Sequence, residues 1–224
     1  MASFRLNVAR IRGLPPVKDI VSALKQFGMP AKGEFGVISY AGTADSVTAE
    51  IIHRSRELVG RLDPTGQKVI PTPVERIIAY PFQVSPAKER LEIHAGAANG
   101  IEKIGTFMAS HLSLTVTTEL VELDVVRAVG KLSSRVERFR LHSVRLEGYA
   151  YNSYMVGTYS PRFLDSEHGL EFLAEHDEGV LSACVRFVGP NGRVSLIITR
   201  NACFTYSCEE ADQDFAKTVL RRLA

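Results

Sequence analysis

The chain has 224 residues, 45% hydrophobic and 23% charged, with 27 basic against 25 acidic side chains and a net charge of +2. That is enough chain to bury a core as one large domain or two small ones, and the balance excludes a chain dominated by disorder. Every apolar run is broken by charge well before the roughly 18 residues of a spanning helix, so no membrane segment is expected, and the net charge alone does not announce a nucleic-acid binder.

In chain order, Phe4, Leu6 and Val8 open a strand that ends at Gly13, and Pro15-Pro16 mark the entry to a helix. Ile20, Leu24 and Phe27 give that helix its apolar stripe, with Gly28 as its C-cap. Residues 35–40 read as a strand. Residues 47–59 read as another, although Ile51, Ile52 and Leu58 fit neither period well and leave a helix open. Asp63-Pro64-Thr65-Gly66 is a turn by composition. The run 69–84 carries Pro71, Pro73 and Pro81, so it must be edge strand, bulge or loop in places. Leu91 and Ile93 form a short strand, and Ile101, Ile104, Met108 and Leu112 mark a second helix after Asn99-Gly100.

A strand over residues 114–120 precedes a helix striped by Val125, Val129 and Leu132. The C-terminal stretch is the most legible. Leu181, Ala183, Val185 and Phe187 alternate with Ser182, Cys184 and Arg186, the period of a half-buried strand. Gly189-Pro190-Asn191-Gly192 reverses the chain, Val194, Leu196 and Ile198 alternate next, and Ala202, Phe204 and Tyr206 follow. A closing helix carries Ala211, Phe215, Val219 and Leu223 at four-residue spacing, with acidic residues in its first turn and Arg221 and Arg222 in its last.

These elements repeat. A shift of 111 residues lays Leu91, Ile93, Ile104, Met108 and Leu112 on Ala202, Phe204, Phe215, Val219 and Leu223; a shift of 105 lays Ile20, Leu24 and Phe27 on Val125, Val129 and Leu132. The reading is an α+β fold, an antiparallel sheet covered on one face by helices, in two similar strand-helix-strands-helix halves, residues 1–112 and 113–224. That order resembles the tandem repeat of the TATA-box-binding protein fold, over nearly the whole length and by pattern rather than by sequence motif. The resemblance implies a curved sheet whose helix-free face, lined by small and β-branched residues, takes nucleic acid. Ser182, Cys184, Arg186, Ser195, Ile197, Thr199, Cys203 and Thr205 would line it here. The first half departs from the pattern, with Glu92 and His94 where Cys203 and Thr205 stand. No pair of wedge phenylalanines at strand turns is identified in each half, so kinking of the minor groove is not implied.

Nineteen of the 27 basic residues are arginine, whose guanidinium fork suits phosphate, carboxylate and base edges; an arginine-biased composition gives the same count. With Phe139 and Leu141 inward, Arg138, Arg140 and His142 share the open face, and Arg145 rejoins them after a shift near Ser143. Such a line fits phosphate contacts, with Arg186 and Arg200 joining it; Glu137 and Glu147 dilute it toward an ordinary solvated strand face. Tyr149, Tyr151, Tyr154 and Tyr159 lie in a glycine-punctuated stretch that suits either base stacking or a protein interface. His168, Glu171 and Glu175 fall on one face of a helix opposite Leu170, Leu173 and Ala174. A histidine and two carboxylates would take a divalent metal, but a plain surface helix has the same pattern, and no metal or cofactor is assigned.

His94-Ala95-Gly96-Ala97-Ala98-Asn99-Gly100 leads into a helix without matching a dinucleotide or P-loop spacing. Cys184, Cys203 and Cys208 are too few and too odd for a disulfide framework, which points to a reducing compartment, the cytoplasm by default. Residues 1–7 lack the apolar core of a signal peptide. The leading functional expectation is a non-enzymatic protein that binds DNA or RNA through the open sheet face. A protein-interaction subunit or small-ligand sensor is the rival, and a metal-dependent enzyme using the His168 helix is third.

Overall fold

The computed structural model describes residues 2–30, 33–62, 65–66, 68–94 and 99–223. In chain order it contains β1 (Ala2–Arg12), α1 (Val17–Phe27), β2 (Phe35–Gly42), β3 (Val47–Leu62), β4 (Val69–Ser85), β5 (Arg90–Ile93), α2 (Gly100–Thr106) and β6 (Thr117–Leu120). There follow α3 (Val125–Ser133), β7 (Arg140–Asn152), β8 (Met155–Tyr159), α4 (Ser166–Glu175), β9 (Val180–Val188), β10 (Arg193–Thr199), β11 (Cys203–Cys208) and α5 (Gln213–Arg221). The fold is α+β, with a large antiparallel sheet of eleven strands that does not close and five α-helices among the described residues. No helix among them is long and apolar enough to cross a membrane. The chain divides into two compact units, Arg10–Glu119 and Met1–Ala9 with Leu120–Ala224.

In the unit Arg10–Glu119 the strands run β2-β3-β4-β5 as a meander. Residues 47–59 are strand because Val47, Ala49 and Ile51 are buried opposite Val84, Phe82 and Tyr80, a period of two imposed by the neighbouring strand. The β3–β4 ladder runs without a slip from Val47 against Val84 to Leu62 against Val69. β2 covers β3 only from Val47 to His53, and β5 covers β4 only from Phe82 to Ser85. The rest of the hairpin is a two-stranded ribbon. Pro71 and Pro73 fall in it, and Pro81 sits at the rim of β5, where its carbonyl accepts the His94 N–H at 2.8 Å. The prolines occur where a ladder donor is not needed.

α1 buries Ile20 and Leu24 and ends at Gly28, which takes a positive φ of 59° while its N–H reaches the Leu24 carbonyl. The second helix of this unit is α only to Thr106 and then widens into one π turn, Phe107–His111. That turn seats Phe107 among Phe27, Phe35 and His111, with ring centroids 5.2 to 6.3 Å apart. The expected turn at Asp63-Pro64 and most of the loop 94–100 lie outside the described residues.

The second unit has the order β8-β7-β9-β10-β11, with residues 2–7 of β1 pairing along β11. Ala183, Val185 and Phe187, Val194, Leu196 and Ile198, and Phe204 and Tyr206 are buried at alternate positions. They form one core with Val125, Ala128, Val129 and Leu132 of α3, Leu173 of α4 and Ala216 and Leu220 of α5. Burial pushes the Tyr206 phenol up to about 12. Among the described residues the opposite face of these strands carries no helix from this core.

Two local expectations need correction. The closing helix begins with a 3-10 turn, Glu210–Asp212, and its innermost line is Asp212, Ala216, Leu220 and Leu223 rather than Ala211, Phe215, Val219 and Leu223. Asp212 is drawn inward because its carboxylate accepts the Asn191 backbone N–H at 3.1 Å and the Asn191 side-chain amide at 2.8 Å. The basic stretch is also not strand from its start. β7 begins only at Arg140, and Arg138 stands in the preceding turn at φ 51°.

Candidate anion-binding face

Strand register decides which side chains share the helix-free face of the second unit. Arg140 lies opposite Arg186, Arg186 opposite Ser195, Ser195 opposite Ser207 and Ser207 opposite Ser3. The next row is Ser143, Cys184, Ile197, Thr205 and Arg5, and the third begins with Arg145, Ser182 and Thr199. Between Leu141 and Ser143 the register shifts, and the extra residue is His142.

Arg138, Arg140, Arg186 and Arg193, with Phe187 and Val188, line a cavity of about 240 Å³ at one end of this face. All four arginines are exposed. Two guanidiniums directly opposite on neighbouring strands repel unless an anion lies between them. Among the described residues no carboxylate comes within 4 Å of any of the four. Arg140 donates to the Leu164 carbonyl at 3.0 Å, which fixes the side chain and leaves its charge unneutralised. His142 registers the field, its pKa lowered first by desolvation and then by Arg186, Arg162 and Arg140. This is a concave, carboxylate-free cluster of guanidiniums, the chemistry that takes phosphate oxygens.

The remaining candidates lie elsewhere. Arg145 is exposed on the same face, opposite Ser182, away from the cavity. Arg200 is engaged in the fold: its guanidinium donates to the carbonyls of Val180 at 3.3 Å and Glu178 at 2.9 Å and lies 4.0 Å from Glu122. Tyr149, Tyr151 and Tyr159 form an aromatic cluster, with Tyr149 stacked on Tyr159 at 4.6 Å and tilted against His176 at 5.6 Å, and with Tyr159 against Phe172 of α4 at 6.3 Å. They thus pack on the α4 side of the sheet, away from the arginines. Tyr154 stands in the β7–β8 turn, 94% exposed.

His168 is taken up by a helix cap. Asp165 accepts the His168 backbone N–H at 3.0 Å and holds its Nδ1 at 2.8 Å. Glu175 lies with Glu147, Asp177 and Glu178 on a separate cleft of about 550 Å³, whose carboxylates suit it to cations rather than phosphate. Among the described residues no three histidine, cysteine or carboxylate side chains are placed to hold a metal ion. The three cysteines are free thiols; burial raises Cys203 and Cys208 above the ordinary thiol range.

Arg193, Arg5 and Arg162 did not emerge from the sequence pattern. The signal for Arg193 was there, since it shares the parity of Ser195, Ile197 and Thr199. Arg5 alternates with Phe4 and Leu6, but that β1 pairs with β11 is a long-range fact no local pattern carries. Arg162 lies between elements and is brought beside β7 by a single bridge to Ser143. No protein-family model matches the chain, and no curated protein matches it significantly.

Proposed function

We propose that this chain is a non-enzymatic nucleic-acid-binding protein that holds a phosphate backbone on the helix-free face of β7, β9, β10 and β11. Arg138, Arg140, Arg186 and Arg193 are the phosphate contacts at the concave end, with Arg145 farther along. The observation that carries this reading is the placing of four arginines around one cavity with no carboxylate among its lining residues. The hydroxyls of Ser143, Ser182, Ser195, Thr205 and Ser207 continue the face as neutral donors, a surface that contacts a backbone without reading bases.

Strand order supports a relation to the TATA-box-binding protein fold. After its first helix each unit lays down a meander, β2-β3-β4-β5 in one and β7-β9-β10-β11 in the other, with β8 and α4 inserted after β7. On this reading the two units are similar halves, and the second carries the ligand. A protein partner is the second reading, favoured by the exposed apolar side chains of the β3–β4 ribbon.

Fluorescence-anisotropy titration with labelled duplex DNA, single-stranded DNA and RNA, at low and physiological salt, tests the proposal and separates the three ligands. Saturable binding that weakens as salt rises is expected. Absence of binding to all three, or binding indifferent to salt, would refute it.

A further inference from the structure

The ribbon made by residues 54–62 of β3 and 69–77 of β4 belongs neither to the core nor to the arginine cluster. It has two edges, and they differ. On β4 the Pro81 carbonyl points away from β3, toward the His94 N–H. By the two-residue alternation of a strand, the backbone groups of residues 71 and 73 face the same outer edge. Pro71 and Pro73 therefore delete donors there, a recognised defence against strand addition.

On β3 the Arg54 N–H donates outward to the Glu34 carbonyl at 2.6 Å, so the groups of Arg56, Leu58, Gly60 and Leu62 point the same way, beyond the end of β2. This edge has no proline and no bulge. Leu58 and Leu62 stand along it 74% and 67% exposed. A long strand edge with unspent backbone donors is a template for another strand.

The charges select which strand. Across the ribbon Arg56 faces Glu75, and Glu57 is bridged by Arg76 at 3.2 Å, whereas Arg61 faces Ile70. Let a second copy of β3 lie antiparallel along this edge, centred on Val59. Glu57 of each copy then opposes Arg61 of the other, Leu58 opposes Gly60 through the free backbone groups, and the two Leu58 side chains become diagonal neighbours. The edge is complementary to itself.

We infer that residues 56–62 of β3 are a homodimerisation edge, on which a second copy of this chain adds its own β3 to make a four-stranded ribbon. The inference is independent of the nucleic-acid reading. Sedimentation velocity of the full chain over a wide concentration range should show reversible formation of a species of twice 24.7 kDa. Leu58→Pro removes an outward donor without touching the β3–β4 ladder, as Pro73 already does opposite it, and should weaken the dimer at least about tenfold.

Arg61→Glu, on the exposed ribbon surface, sets carboxylate against carboxylate and should weaken it comparably, whereas the double variant Glu57→Arg/Arg61→Glu should recover much of the loss. The charge variants keep the test decisive if the proline variant fails to fold. A monomer at every concentration, or a dimer whose Kd none of these substitutions moves, overturns the inference.

Discussion

Two histidines of the second unit are shifted in opposite directions, and the causes make separate predictions. His142 is lowered by desolvation and by the positive field of Arg186, Arg162 and Arg140. The folded state then binds fewer protons than the unfolded chain, so His142 costs stability as pH falls through the ordinary histidine range toward its own lower value. A phosphate on the cluster reverses the field. Nucleic-acid affinity should therefore rise as pH falls through the His142 titration, and that titration, followed by NMR, should move up in the complex and in Arg186→Ala. An affinity flat across that range would separate His142 from the site.

His168 is raised by its hydrogen bond to Asp165, and Asp165 is lowered by its bonds to His168. The His168 contribution to stability is present below the unfolded histidine pKa and lost as pH rises through the raised folded one. The Asp165 contribution is present above the unfolded carboxylate pKa and lost as pH falls through the depressed folded one. Asp165→Asn should return the His168 titration toward its ordinary value, and an unchanged titration would remove the cap as the cause. The sequence placed His168 on a helix face with Glu171 and Glu175, and the structure adds the capping aspartate three residues before it, which holds the ring.

At the scale of elements, the β9–β10 turn and the start of α5 are joined by one buried carboxylate. Asp212 is fully buried and accepts both the backbone and side-chain N–H groups of Asn191. A side chain on Gly189 would also collide with it, since an added Cβ there would stand 2.9 Å from its Oδ2. Asp212→Ala removes the carboxylate acceptor of both Asn191 donors and should lower the unfolding free energy by about 1–3 kcal/mol in denaturant titration. A drop under a few tenths of a kcal/mol would mean that the turn holds itself.

This carboxylate explains one difference between sequence and structure. Four-residue spacing selected Ala211 as the first inward position, whereas a polar tie to a residue 21 positions earlier rotated the helix to bury Asp212 instead. Periodicity reads apolar burial and is blind to a buried ion whose partner is distant in sequence. The strands of residues 181–208 were legible for the converse reason, because their buried faces are apolar at alternate positions and their open faces, Ile197 and Val188 apart, are polar or small. The prolines of β4 likewise marked a strand with an open edge, since they exclude a fully paired one.

Across the whole molecule, the α+β class and antiparallel sheet were written in local patterns, and the membership of the units was not. Residues 2–9 belong with the C-terminal unit because β1 pairs with β11, 196 to 206 positions later by register. The same limit applies to the site. Arg140 and Arg186 could each be assigned to an open face, but that they stand opposite one another depends on the β7–β9 pairing and the bulge at His142. Tyr149, Tyr151 and Tyr159 were adjacent to the arginines in sequence and are separated from them by the sheet.

The measurement that bears most directly on the arginine cluster is the slope of log affinity against log salt for duplex DNA, compared among the unmodified chain, Arg140→Ala, Arg186→Ala and Arg200→Ala. Removing one guanidinium that binds a phosphate should weaken binding and flatten the slope by about 1. Arg140→Ala and Arg186→Ala should both do so, whereas Arg200→Ala, whose guanidinium is spent on backbone carbonyls, should leave the slope unchanged. Equal slopes for all four proteins, or a flattening confined to Arg200→Ala, would contradict the placing of the phosphates on this face.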